Sequence, residues 1–480
     1  MLFLVRTAIW PDVQQHAWSQ PFLLLDPLSA WIGGIAGRAF SVRLLWPLVL
    51  ILPTVLLGRF FCGWICPVGS LQQWSAGMRP KSALSKTRNA NRYRPSQPAK
   101  YYLLLAGAVA SVFGLGLLAW IDPLVLLTRS AGISLLPQAA SHKFTAVAQP
   151  HYWAGLFVLA GFVFLLAASL YVTRFWCRLL CPLGALLGVF SRCSPLRLRK
   201  NDETCSHCDR CIADCQGGGD PEPGADWRHG ECHLCLHCVT SCPHNCLRFS
   251  FAPQPSQQGL RLDRAKRASL VAILTGVAAI PLVRAQSLLG KSTRLAAVRP
   301  PGAQDETELL ARCVRCGECI RLCPNHALQP AISEAGAIGF WSPMLTPKIG
   351  YCDPECVLCT QVCPTGAIHE LTVTQKGWTE TPDRAMAPVR LGLARYDRNR
   401  CLPWTQEQEC SVCMESCPVT PKAIFLEQAA ASYGQGPATR VSRPRIDPER
   451  CVGCGACVCA CPLDAPAVSI FGNGSEPMRP

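Results

Sequence analysis

Residues 205 to 215 read CSHCDRCIADC, and residues 232 to 243 read CHLCLHCVTSCP. Both runs space their thiols as C-x2-C-x2-C-x3-C, through Cys205, Cys208, Cys211 and Cys215, then Cys232, Cys235, Cys238 and Cys242. This is the bacterial ferredoxin spacing: three thiolates close in sequence wrap one 4Fe-4S cubane, and the fourth leaves the turn to ligate the neighbouring cluster. Pro243 closes the second run as the pattern asks, whereas Gln216 follows the first. Structural zinc separates two C-x2-C pairs by a long spacer, so a third Cys following at once argues for iron-sulfur chemistry.

Four more groups follow downstream. Cys313, Cys316, Cys319 and Cys323 keep the spacing before Pro324, and Cys451, Cys454, Cys457 and Cys461 keep it before Pro462. Two are stretched: Cys352, Cys356, Cys359 and Cys363 open with one extra residue, and Cys401, Cys410, Cys413 and Cys417 open with an eight-residue spacer. Six groups of four use 24 of the 31 cysteines, which implies about six 4Fe-4S clusters. No C-x-x-C-H occurs, so c-type haem is excluded. His207, His233 and His237 lie inside groups that already hold four thiols and read as hydrogen-bonding neighbours.

Charged residues are 16% of the chain, hydrophobic ones 49%, and mean hydropathy is +0.19, a composition that leans toward membrane. Apolar stretches at 44–61, 101–127 and 152–172 are each expected to form a membrane helix, and a shorter one at 268–283 reads as a fourth span or as a buried or surface-lying helix. The formal net charge is +15, yet residues 286–480 hold 4 Lys and 15 Arg against 6 Asp and 13 Glu, so the excess lies upstream. The loops after the first and third stretches are basic and read as cytoplasmic. By the same rule the fourth stretch, after Arg261, Arg264, Lys266 and Arg267, sends the tail to the far side. A basic excess confined to the hydrophobic half suits membrane lipids, not nucleic acid.

Four of the seven spare cysteines form two matching motifs, FCGWICPVG with Cys62 and Cys66, and FWCRLLCPLG with Cys177 and Cys181. A spacing of four places both thiols on one helix face, and Pro67 or Pro182 stops the helix. One reading is a pair of packed helix-end cysteines. The sharper one is a redox-active or metal-binding thiol set near a quinol site, with Arg59, Arg174 and Arg178 expected to lower the thiol pKa values. Cys193, Cys246 and Cys459 read as packing residues.

With these motifs in view, residues 24–251 resemble the NapH family of membrane ferredoxins (MauN-like), with related architecture in NosR-like and FixG-like proteins. Residues 264–480 resemble the NapG or MauM family of four-cluster ferredoxins, and Lys266-Arg267-Ala268-Ser269-Leu270 resembles a twin-arginine export signal. The resemblance implies a fusion: an α-helical membrane bundle with appended small α+β bacterial-ferredoxin-like 4Fe-4S domains. The expected domains are a membrane domain at 1–200, a two-cluster domain at 201–252, a fourth membrane helix or twin-arginine-like anchor at 261–288 and a four-cluster domain at 300–480.

The implied function is electron transfer at the bacterial inner membrane, as a possible quinol dehydrogenase component. The quinone pool would supply electrons, and a periplasmic reductase or multihaem cytochrome would receive them. The first cluster pair is expected on the cytoplasmic side and the C-terminal domain in the periplasm. The rival is a redox-sensing or metalloenzyme-assembly ferredoxin.

Overall fold

The structure is a computed structural model that describes residues 19–38, 45–79, 84–135, 152, 155–251, 262–289, 297–378, 387–430 and 440–472. The chain divides into two units, residues 1–143 with 155–282, and residues 144–154 with 283–480.

The first unit begins with α1 (Pro27–Trp31), α2 (Leu48–Leu57), α3 (Phe60–Trp64), α4 (Pro67–Gly77) and α5 (Ala99–Val112). It continues through α6 (Pro123–Arg129), α7 (Gly155–Ala168), α8 (Phe175–Leu179) and α9 (Pro182–Ser191). These elements repeat. Asp26 caps α1 by accepting from the amides of Leu28 and Ser29 at 3.1 and 3.2 Å, and Asp122 caps α6 through those of Leu124 and Val125 at 2.8 and 3.2 Å. Each capped helix has Pro at its first position and runs into a π-helical turn, at Ile32–Ala36 and Ser130–Leu135. Each half then ends in a C-x3-C-P pair of helices, α3 with α4 and α8 with α9. Asp26 and Asp122 are fully buried and interact with each other; burial raises both carboxyls above the usual range, and each acid acts on the other.

The expected membrane bundle is not what forms. Among the described residues no helix is long and apolar enough to cross a membrane. Hydropathy marks apolar composition, but the helices inside the marked stretches are interrupted. In the first stretch α2 contains Pro53 and ends at Gly58, whose φ of 98° stops the helix after 10 residues, about 15 Å of rise. In the second, α5 gives way after 14 residues to a turn with Gly114 at φ 83°, then a 3-10 turn at Leu117–Trp120 and the Asp122-Pro123 start of α6. In the third, α7 also has 14 residues, about 21 Å against the roughly 30 Å of a hydrocarbon core. The fourth lies within α10 (Leu262–Leu289), a helix that contains Pro281 and carries Asp263, Arg264, Lys266 and Arg267 near its start.

The ferredoxin parts are mixed helix and strand. In the first unit β1 (Leu196–Lys200) and β2 (Leu247–Phe251) pair antiparallel, Leu196 opposite Phe251, and bracket the two cysteine runs. Leu198, Cys238 and Leu247 form the core beneath them. The second unit pairs β3 (Leu328–Pro330) with β4 (Pro343–Leu345). It then repeats the bracket with β5 (Leu393–Tyr396), β6 (Ile424–Ala430), β7 (Arg440–Ile446) and β8 (Val468–Phe471), in which β5 pairs with β8 and β6 with β7. Nesting one strand pair inside the other brings residues 401–417 and 451–461 side by side over a core of Ala394, Ile424, Cys451, Cys457 and Val468. The sheets therefore place the end of one cysteine run beside the start of the next.

Candidate metal centres

Four of the six groups share one local backbone. The residues before and after the second cysteine both take the left-handed conformation: His207 and Asp209, Leu234 and Leu236, Arg315 and Gly317, Gly453 and Gly455. This double reversal folds three thiols inward, and a single helical turn then carries the third. In the stretched groups the extra residues between the first two cysteines take the place of the pair.

Within the first unit, Cys215 sits with the second run and not with its own. The thiols of Cys232 and Cys238 feel the charge of Cys215, and Cys215 that of Cys235. Cys205, Cys208 and Cys211 act on one another, and Cys246, beside Cys242, also feels Cys205. The fourth thiols thus cross over, giving one set of 205, 208, 211 and 242 and another of 215, 232, 235 and 238. Gln216, the departure from the proline pattern, is buried and meets His237 Nδ1 through its amide nitrogen at 3.0 Å.

The second unit crosses in the same way. Cys313, Cys316 and Cys319 each feel Cys363, and these four thiols line one cavity with Leu309 and Trp341. Cys352, Cys356 and Cys359 gather with Cys323. Cys401 feels Cys410, Cys413 and Cys461, while Cys454 and Cys457 feel Cys417 and Cys451. The middle two sets also touch: the amide of Cys352 donates to the carbonyl of Cys454 at 2.9 Å, and the Cys454 thiol feels that of Cys352. The four sets therefore run in the order 313/316/319/363, 323/352/356/359, 417/451/454/457, 401/410/413/461.

These sets fit 4Fe-4S clusters. Main-chain amides aim at sulfur, from Ile368 to Cys363 Sγ at 3.4 Å, Gly219 to Cys215 Sγ at 3.3 Å and Leu234 to Cys232 Sγ at 3.5 Å. Burial pushes the Cys401 thiol up to about 11 and the Cys454 thiol up to about 12, with neighbouring thiols adding to it, and Cys319, Cys359 and Cys457 go well above the usual thiol value. Thiols so crowded become ligands only with the positive charge of a metal core, which deprotonates what it binds. Among the described residues no group of three or more His, Cys, Asp or Glu closes on a point as a single ion needs. Tetrahedral zinc would need its sulfurs within about 4 Å of one another.

Sequence reasoning missed several neighbours. Lys376 is fully buried and donates to Cys352 Sγ at 3.4 Å and Cys356 O at 2.8 Å. The Tyr396 hydroxyl meets Cys413 Sγ at 3.1 Å. In the first unit a cavity lined by Tyr93, Tyr101, Arg192, Arg197, Trp227 and His229 reaches Glu231, the neighbour of Cys232. Trp227 stacks on His229 at 4.6 Å, and burial with the Arg197 guanidinium holds this histidine down at about 4, so its ring is neutral at pH 7. The Tyr101 hydroxyl donates to Glu231 Oε1 at 3.0 Å, and Glu231 pairs with the buried Lys100.

Cys62, Cys66, Cys177 and Cys181 are all buried, and their thiols act on one another, so the two motifs meet. The expected lowering is not seen at Cys66, Cys177 or Cys181. Burial raises Cys66, Cys177 and Cys181, although Arg174 and Arg59 pull Cys177 the other way. Arg178 instead holds the segment after α4, through the Ala90 carbonyl of the Leu84–Asn91 helix at 3.0 Å and Gln97 Oε1 at 3.1 Å. Of the other spare thiols, Cys246 is buried and donates to Thr204 O at 3.2 Å, while Cys193 and Cys459 are exposed.

Two family models match, both described as a 4Fe-4S binding domain. One covers residues 39–85 and 154–201, the other residues 310–329 and 444–467. The chain is 31% identical to the methylamine utilization ferredoxin-type protein MauM of Methylorubrum extorquens over 235 residues, 46% of this chain and 95% of that protein. It is 31% identical over 176 residues to the ferredoxin-type protein NapG of Escherichia coli, covering 36% of this chain and 70% of NapG. A putative electron transport protein, YccM of E. coli, is 30% identical over 216 residues, which span 44% of this chain and 56% of YccM. No solved structure matches.

Proposed function

Because the chain belongs to the MauM and NapG family of ferredoxin-type iron-sulfur proteins, we propose that its electron transfer runs from a quinol to a periplasmic redox protein. A 4Fe-4S cluster supplies one-electron chemistry without proton transfer, at a potential set by net charge, hydrogen bonds to sulfur and burial. The protein's own contribution is to space such centres and tune them. The observation that carries the reading is the crossing of fourth thiols, which couples neighbouring sets and strings four of them in one line through the Cys352–Cys454 contact.

The quinol end of the proposal is supported by the cavity beside Cys232. A hydroquinone ring has aromatic faces to stack on in Trp227, Tyr93 and Tyr101, and a neutral His229 to accept a hydrogen bond from its hydroxyl. A periplasmic reductase or multihaem cytochrome is the receiving partner in this proposal. Anaerobic purification followed by iron analysis and redox-poised EPR tests it. We expect at least about 24 irons per chain and reduction of the centres by a soluble quinol analogue. Zinc with little acid-labile sulfide would sink the electron-transfer reading, and full cluster loading with no reduction by quinol would sink the quinol reading alone.

A further inference from the structure

The four C-x3-C-P thiols lie outside the six ferredoxin sets, yet the fold treats them as it treats ligands. Each half of the internal repeat contributes two, one within a five-residue helix and one at the N-cap of the next helix: Cys62 in α3 and Cys66 before α4, Cys177 in α8 and Cys181 before α9. The second cysteine of each pair is extended between its two helices, and the repeat brings the pairs together, with none of the four more than 8% exposed.

Their sulfurs are met by donors as the ferredoxin thiols are. The Gly184 amide donates to Cys181 Sγ at 3.1 Å, the Gly69 and Val68 amides to Cys66, and Arg59 Nη2 approaches Cys62 Sγ at 3.9 Å. A Cβ on Gly184 would stand 2.7 Å from the Arg59 guanidinium and 3.3 Å from Cys181 Sγ, so glycine is needed there for the close approach.

Charge supplies an independent argument. Arg59 and Arg174 are fully buried. Arg59 bonds the Gly230 carbonyl at 2.7 Å and Cys62 Sγ; Arg174 bonds the Cys62 carbonyl at 2.8 Å, Gln73 Oε1 at 2.9 Å and His233 Nδ1 at 3.3 Å. None of these acceptors is a carboxylate, and the Nε atoms of both arginines have no partner. Glu231 also acts on Arg59 but is already paired with the buried Lys100, so the buried arginines are not fully compensated, which is costly. An oxidised 4Fe-4S core bound by four thiolates carries a net charge of minus two, which balances them.

We propose that Cys62, Cys66, Cys177 and Cys181 together hold an additional 4Fe-4S cluster, beyond the six ferredoxin-type sets. Zinc with four thiolates would have the same charge, but among the described residues no donor group closes tightly enough for a single ion. The matched segments 39–85 and 154–201 contain these four cysteines, the exposed Cys193 and none of the 24 in the ferredoxin-type sets. The site adjoins the Cys232 set: Trp64 Nε1 donates to the Leu234 carbonyl at 2.8 Å, and a Cβ on Gly63 would fall 2.1 Å from the His233 carbonyl oxygen. Electrons at this site would have a short path to the first unit's ferredoxin pair.

Iron, acid-labile sulfide and zinc per chain, measured on anaerobically purified protein with Mössbauer quantification, test the proposal. Wild type should carry about 28 irons and not about 24, with no zinc. The Cys62→Ala/Cys177→Ala double variant should lose about four irons and four sulfides while the EPR signals of the other centres persist. Unchanged iron in that variant, or about 24 irons in a fully loaded wild type, would overturn the assignment, as would the loss of one zinc. Should the double variant fail to accumulate, the wild-type count and Mössbauer intensities decide alone.

Discussion

Lys376 shows what a single side chain contributes here. In the sequence TVTQKGW it resembles any solvated lysine, because the partners that bury it, Cys352 and Cys356, lie 24 and 20 positions earlier. Its ammonium also lies 4.1 Å from the Trp378 ring, a second attraction that holds it in place. A cation beside a metal centre stabilises the reduced state, which is the more negative one, so its removal should lower the potential of that centre. At an effective dielectric of about 20 and roughly 7 Å to the cluster centre the interaction is about 2 kcal/mol. For a one-electron couple that is on the order of 100 mV. Lys376→Met should therefore shift one centre down by about that much and leave the others in place in a redox-poised EPR titration. An unshifted potential would make Lys376 a packing residue only.

At the scale of elements, the cysteine turns and the capped helices account for what was legible and what was not. Cysteine spacing foretold the groups, because three ligands within seven residues constrain only local backbone. The left-handed pair inside each regular group was hidden, since Leu234 and Leu236 stand where Gly453 and Gly455 stand in the last group. A leucine in that conformation costs about 1 kcal/mol or more. Leu236→Gly should therefore raise stability by up to about 1 kcal/mol in a denaturant titration of cluster-loaded protein; a loss instead would mean that the side chain packs more usefully than its backbone is strained. The spans read from hydropathy failed for the opposite reason: apolar content is a sum over residues, whereas a span needs an unbroken helix. Gly58, Gly114 and Pro123 break the first two runs. The Asp122-Pro123 start in the second run, with the matching Asp26-Pro27 start ahead of the first, creates the buried Asp26–Asp122 pair. Both carboxyls have folded pKa values raised above the unfolded value, so the favourable contribution is fully present below about pH 4 and is lost as the pH rises through the folded values. Asp122→Asn keeps a capping oxygen and removes one charge, so its stability should fall less than that of wild type between pH 5 and pH 8. Asp122→Ala loses the cap and should cost about 1 kcal/mol at either pH. Equal pH slopes for wild type and Asp122→Asn would show that the pair does not titrate.

Over the whole molecule the informative feature is order, which spacing alone could not supply. Sequence pairs residues 313–363 and 401–461, but it leaves open which member of each pair faces the other pair. The Cys352–Cys454 backbone bond resolves this by joining the 323/352/356/359 set to the 417/451/454/457 set, and leaves 313/316/319/363 and 401/410/413/461 at the two ends. A line of this kind has no bypass within the unit, so its function should be lost when an inner set is lost even though both ends survive. Replacing Cys356 with Ala removes a ligand from an inner set without touching either terminal set. Rapid-freeze EPR after mixing with a reduced donor should show all four wild-type centres filling together. In the variant, one terminal centre should fill at the wild-type rate while the other lags far behind. If both terminal centres still fill at the wild-type rate, electrons do not travel through the inner sets in this order, and the two ends must exchange with the donor independently.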